Sequence, residues 1–225
     1  MGEIHNKSIS FRKIFGDAIS LYKKYYKEVI FFSILISLYN VVDQEVFAKH
    51  LYKDSFIILW SGFFMLSLVI TTIFYSAATW YIHNHLSGSD ISLSDSFRQS
   101  LQRVVPVSVS IVLLGVMLFA GFVAFIIPAI FVLVIFNQAY YFVLLKGAGV
   151  KEAFSESRKV TKGNRLKILA IVGFSFLPFI LLSMLFGQSY PVLALQLLSV
   201  IPTSFEIVLS YVLWLSLTRI SLASK

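Results

Sequence analysis

Apolar residues along this chain gather into six runs, each long enough to cross about 30 Å of hydrocarbon as a helix. The runs cover about 29–47, 55–82, 104–125, 128–145, 166–186 and 192–217. The first weakens at its end, where Asp43 and Glu45 interrupt it, and the second is long enough to cross at a tilt. The third and fourth are joined by Ile126-Ile127-Pro128, a turn too short to travel far from the membrane. The pattern predicts an all-α membrane protein, a single polytopic domain over residues 1–225.

Three of the polar intervals keep a helical pattern of their own, at about 8–27, 91–103 and 149–162. In the first, Phe11, Ile14, Phe15, Ala18, Tyr22 and Tyr25 fall at i, i+3, i+4 and i+7 spacing, with Arg12, Lys13, Asp17, Ser20 and Lys24 opposite them. In the second the apolar set is Leu93, Phe97, Leu101 and Val104, and Ser92-x-x-Asp95 resembles a capping box. In the third it is Val150, Ala153, Phe154, Ser157 and Val160. Each carries a phenylalanine with a small residue three positions on: Phe15 and Ala18, Phe97 and Ser100, Phe154 and Ser157. Each then leads into two apolar spans. The chain therefore reads as three copies of one unit, an amphipathic interfacial helix followed by a transmembrane hairpin.

Charge sets the expected orientation. Of 19 Lys and Arg residues, 17 fall on one side if the six runs alternate across the membrane. That side holds the N-terminal segment, the loop with Arg98 and Arg103, the stretch from Lys146 to Lys167 and the C-terminus; the other holds Lys49 and Lys53. The positive-inside rule places both termini in the cytoplasm. Only 13% of residues are charged, against about 25% in soluble domains, so lipid is the expected solvent for most of the surface. A net charge of +8 then points to anionic headgroups rather than nucleic acid. The basic residues expected to meet those headgroups are Arg12, Lys13, Lys23, Lys24, Arg98, Arg103, Lys151, Arg158, Lys159, Lys162 and Arg165. No apolar h-region occurs in the first 27 residues, so no cleaved signal peptide is expected.

The run FIIPAIFVLVIFNQAYYFVLL, its Gly-x-Gly turn and the following GVKEAFSESRKVTKGNRLKI resemble a known module. It is the membrane domain found beside glycerophosphodiester phosphodiesterases, together with related small bacterial inner-membrane proteins. Pro128, Gly149, Ala153, Phe154, Ser157, Lys162, Gly163 and Asn164 carry the likeness, which covers about 92–177. The resemblance implies a bacterial cytoplasmic-membrane module. The phosphodiesterase's catalytic barrel has no counterpart in these 225 residues, and no catalytic residue carries over.

Candidate chemistry is sparse. Glu206 lies near the middle of the sixth run, four residues after Pro202. An ionisable group at that depth costs about 2.5–3.5 kcal/mol to insert, which makes it a candidate ligand or proton site. The alternative is a protonated carboxyl holding helices together by hydrogen bonds to Asn137, Gln138 or Gln196. His83-Asn84-His85 reads as interfacial, and Asp43, Glu45, His50 and Asp54 as an ordinary acidic patch, so no metal site is expected. Zero cysteines exclude disulfides, thiolate catalysis and cysteine-bound zinc. With no nucleophile, metal or phosphate-loop motif either, the expectation is a non-enzymatic protein without cofactor that binds or moves lipid or another amphiphile, or scaffolds at the membrane. A secondary transporter or channel subunit using Glu206, and an assembly or immunity protein bound to a membrane-protein partner or to its own copies, are the alternatives.

Overall fold

A computed structural model describes residues 8–50, 57–186 and 192–223. Among them are eight helices: α1 (Phe11–His50), α2 (Ile57–Leu86), α3 (Leu93–Ala124), α4 (Ile126–Phe136), α5 (Ala139–Lys146), α6 (Val150–Thr161), α7 (Arg165–Phe186) and α8 (Val192–Ala223). Six stretches are long and apolar enough to cross a membrane: Phe11–Val42, Met65–Leu86, Leu93–Ala124, Ile126–Lys146, Arg165–Leu182 and Ala194–Arg219. The side chains of Asp43, Glu45, His50 and Asp54 lie outside the described residues.

Length explains how amphipathic and apolar segments combine. At 1.5 Å per residue the 40 residues of α1 reach about 60 Å, twice the hydrocarbon thickness. The amphipathic segment of 8–27 and the first span are one helix, bent where Tyr25 leaves helical geometry (φ −120°, ψ 19°). The second amphipathic segment runs into its span without a break, as α3. The third, α6, stands apart, closed by a turn at Gly163 with φ 85°. That left-handed angle is one that glycine adopts at little cost.

The third and fourth spans depart from expectation in two ways. Their connection is Phe125 alone, in extended backbone, and Pro128 sits in the first turn of α4 rather than in the loop. Proline is tolerated there because a helix's first N–H groups have no intrahelical acceptor. A Cβ on Gly121 would lie 2.9 Å from backbone atoms of Ala129, so only glycine lets α3 and α4 approach this closely. The run expected as one helix over 128–145 is broken at Asn137-Gln138 into α4 and α5.

The chain falls into two compact units. Unit 1 comprises Met1–Leu21, Val105–Ser175 and Val208–Lys225, and unit 2 comprises Tyr22–Val104 and Phe176–Ile207. Unit 1 buries Ile9, Ile14, Val134, Leu144, Ile168, Leu213 and Trp214. Tyr141 and Trp214 stack there at 5.8 Å between ring centres, with the Lys146 ammonium over the Trp214 ring. In unit 2 small side chains take the closest positions: Ser33 and Ser37 on α1, and Ser76, Ala77, Ala78 and Thr79 on α2, are all buried. Lipid offers helices no hydrophobic drive to associate, so close packing over small residues supplies the attraction.

Candidate functional site

In unit 2, Glu206 stands on α8 within a stretch apolar and long enough to cross a membrane. Pro202, one turn earlier, removes the N–H that would bond the Leu198 carbonyl. Beside that irregularity α8 carries two polar side chains, each with a tyrosine for a partner. Tyr75 of α2 donates its hydroxyl to both carboxylate oxygens of Glu206, at 3.2 and 3.0 Å. Tyr22 of α1 meets the Ser204 hydroxyl at 2.9 Å, and its ring lies edge-on to Phe205 at 5.7 Å. α1 and α2 thus converge on a short polar stretch of α8. Glu206 is half-buried, and the bifurcated hydroxyl satisfies part of its acceptor capacity.

Tyr75 is not among the partners expected for Glu206. Gln196 lies ten residues back on the same helix, about 15 Å along its axis, too far to hydrogen-bond it. Asn137 and Gln138 belong to unit 1, at the break between α4 and α5. Tyr75 went unnoticed in the sequence because tyrosine is unremarkable in an apolar run. The available signal was its neighbourhood of Thr71, Thr72, Ser76 and Thr79, an unusual density of hydroxyls for one span.

Unit 1 builds its polar site around the helix break. Ending α4 frees backbone carbonyls, and α6 packs alongside to receive one of them. Ser157 donates its hydroxyl to the Ile135 carbonyl at 2.7 Å, and Thr161 approaches the same oxygen at 3.4 Å. Gln138 is fully buried, and neither its amide nitrogen nor its oxygen has a partner among the described residues. Phe154 rests on Phe136, ring centres 5.3 Å apart. The small residue of this motif therefore has a specific duty, closing the carbonyl that the break exposes.

At the motif positions the small residues Ala18, Ser100 and Ser157 are all fully buried. So are the residues preceding each phenylalanine: Ile14, Ser96 and Ala153. The phenylalanines are half-buried, Phe15 against Phe174, Phe97 between Phe32 and Phe74, and Phe154 as above. The second segment buries serines rather than its apolar set. Leu101 is 53% exposed, and Ser96 and Ser100 take the inward face in its place. The expected capping box is present, with Ser92 Oγ donating to Asp95 Oδ2 at 2.7 Å and the Asp95 N–H donating to Ser92 Oγ at 3.1 Å.

The cationic residues expected at the headgroups lie outward. Arg12, Lys13, Lys23, Lys24, Arg98, Arg103, Lys151, Arg158, Lys159 and Lys162 are exposed, and Arg165 is half-buried. Lys159 pairs with Glu156 at 2.6 Å across an exposed face, a contact of little energetic weight. His85 Nδ1–H donates to the Tyr81 carbonyl at 2.9 Å. Among the described residues no group of three or more His, Asp or Glu side chains could hold a metal. Comparison with protein-family models, with curated proteins and with solved structures finds no match to this chain.

Proposed function

We propose that this is a multi-pass protein of the bacterial cytoplasmic membrane, with both termini inside, that binds or handles lipid or another amphiphile without catalysing a reaction. The observation carrying the proposal is the shared character of the three amphipathic segments. Each buries a small residue and rests a phenylalanine on apolar rings, while its lysines and arginines face outward. Such a segment suits the boundary between acyl chains and phosphates. The same correspondence supports descent from one unit repeated three times. The resemblance to the membrane domain that accompanies glycerophosphodiester phosphodiesterases supports a lipid-facing role without the enzyme. Gentle purification with native lipid, followed by native mass spectrometry, tests it. A defined lipid or amphiphile retained by wild type and lost on charge reversal of Lys151, Arg158, Lys159 and Lys162 is the expected result. Bulk lipid alone would count against it, and a second polypeptide at fixed stoichiometry would favour the assembly-protein alternative.

The Tyr75–Glu206 pair favours a second reading, a proton-coupled transporter or channel subunit. A carboxyl held by a hydroxyl beside a proline in a span can exchange a proton when that partner moves. Proton-dependent flux in liposomes that disappears in Glu206→Gln would establish this reading, and unchanged flux would remove it.

A further inference from the structure

The segment preceding α1 is gripped at both backbone polar atoms of one residue, Ile9. The N–H of Ile9 donates to Asn164 Oδ1 at 2.9 Å, and its carbonyl accepts from Lys167 Nζ at 2.9 Å. Ile9 and Ile14 are buried on either side of the contact, and Phe11 and Phe15 meet Phe174 edge-on at 6.1 and 5.0 Å. Ile9 is therefore fixed against the turn between α6 and α7, where Gly163 supplies the left-handed angle and Asn164 the acceptor.

The consequence is electrostatic. Arg12 follows the clamped Ile9 by three residues, at the second position of α1. Lys162 precedes Asn164 by two, and Arg165 follows it directly. Arg12, Lys13 and Lys162 are exposed, whereas the Arg165 Nε–H is shielded from solvent without an acceptor among the described residues. Among those residues no carboxylate lies within ion-pair distance of these four cations. Gathering like charges without a counter-charge is unfavourable unless an anion joins them. Directly beside them Leu166 is 83% exposed, and Phe11 and Phe174 are exposed as well. Cations at a helix end next to uncovered apolar side chains suit a ligand with a charged head and an oily body.

We propose that the Ile9 clamp assembles a discrete site for one anionic glycerophospholipid. The phosphodiester is taken by Arg12, Lys162 and the planar fork of Arg165, and the acyl chains lie along Phe11, Leu166 and Phe174. The site rests on the lipid-handling reading above and narrows it to one headgroup, bound where two distant chain segments are tied together. Asn164 acts as a positioning residue, through Ile9, and does not touch the lipid.

Native mass spectrometry of the full-length protein in mild detergent, titrated with phosphatidylglycerol, phosphatidylethanolamine or inorganic phosphate, tests the site. One phosphatidylglycerol per chain is expected, bound at least about tenfold more tightly than phosphatidylethanolamine. That preference falls by about tenfold in Arg12→Gln with Arg165→Gln, and in Asn164→Ala, but not in Arg98→Gln with Arg103→Gln. Should thermal melting show Asn164→Ala to be misfolded, Lys167→Met takes its place, removing the second bond of the clamp together with one cation and read against Lys151→Met as the charge-matched control. Equal losses from the Arg98 and Arg103 variant would mean diffuse surface charge and overturn the site. Displacement of lipid by inorganic phosphate would make it a free-anion site and overturn it too. Lipid retained equally by every variant would overturn the site while leaving the lipid-handling reading in place; no lipid retained by wild type would take down both.

Discussion

Glu206 shows how little a residue's identity says before its partner is known. A carboxyl in an apolar span is costly wherever it stands, and two roles relieve the cost: a structural hydrogen bond or a functional proton. Tyr75 binding both carboxylate oxygens is compatible with either. The two separate in a double-mutant cycle over Tyr75→Phe and Glu206→Gln. Interhelical hydrogen bonds within membranes are worth about 0.6–2 kcal/mol. A structural pair is expected to lower stability by that much in each single variant, with a coupling energy of similar size in detergent unfolding. Retained lipid or flux would then follow stability. A functional Glu206 instead shows near-wild-type melting in Glu206→Gln together with lost binding or flux.

Small residues at helix contacts decide the architecture at the scale of elements. Ala18, Ser100 and Ser157 occupy corresponding places in three segments, and all three are fully buried. Enlarging any of them to leucine is expected to cost about 1–3 kcal/mol through overpacking. Ser157→Leu falls at the upper end, because it also removes the donor to the Ile135 carbonyl. Similar losses at the three sites, measured by thermal unfolding in detergent, would support a common unit; a loss at Ser157 alone would mean that the likeness ends with the sequence. Much of this level was legible in the chain. The six apolar runs, the outward cations and the capping box of Ser92 and Asp95 all depend on neighbours within a few residues. The break at Asn137, the Ser157 hydroxyl on Ile135, Tyr75 on Glu206 and the grip of Asn164 on Ile9 were not legible. The three contacts join residues 22 to 155 positions apart, and periodicity records which face of a helix is apolar without naming what that face meets.

For the whole molecule, the sharpest expectation is its orientation. Seventeen of 19 Lys and Arg residues share one side if the six spans alternate, and the positive-inside rule puts that side in the cytoplasm. Because the chain has no cysteine, a single introduced thiol reports its own compartment. Ser89 follows α2 and Ser155 lies on the outward face of α6, and both are exposed. Phe125, at the turn between α3 and α4, is 80% exposed. In intact cells a membrane-impermeant maleimide is expected to label Phe125→Cys and to leave Ser89→Cys and Ser155→Cys untouched until the cytoplasmic membrane is opened. Reversed labelling would put α6 and the Ile9 clamp on the outer face, away from the cytoplasmic leaflet whose anionic surface attracts basic segments. The phospholipid site would then lose its electrostatic rationale, whereas the Tyr75–Glu206 pair, set within the spans, would keep its own. Labelling of all three in intact cells would mean that Ser89 and Ser155 also face outward, which no alternation of six spans allows.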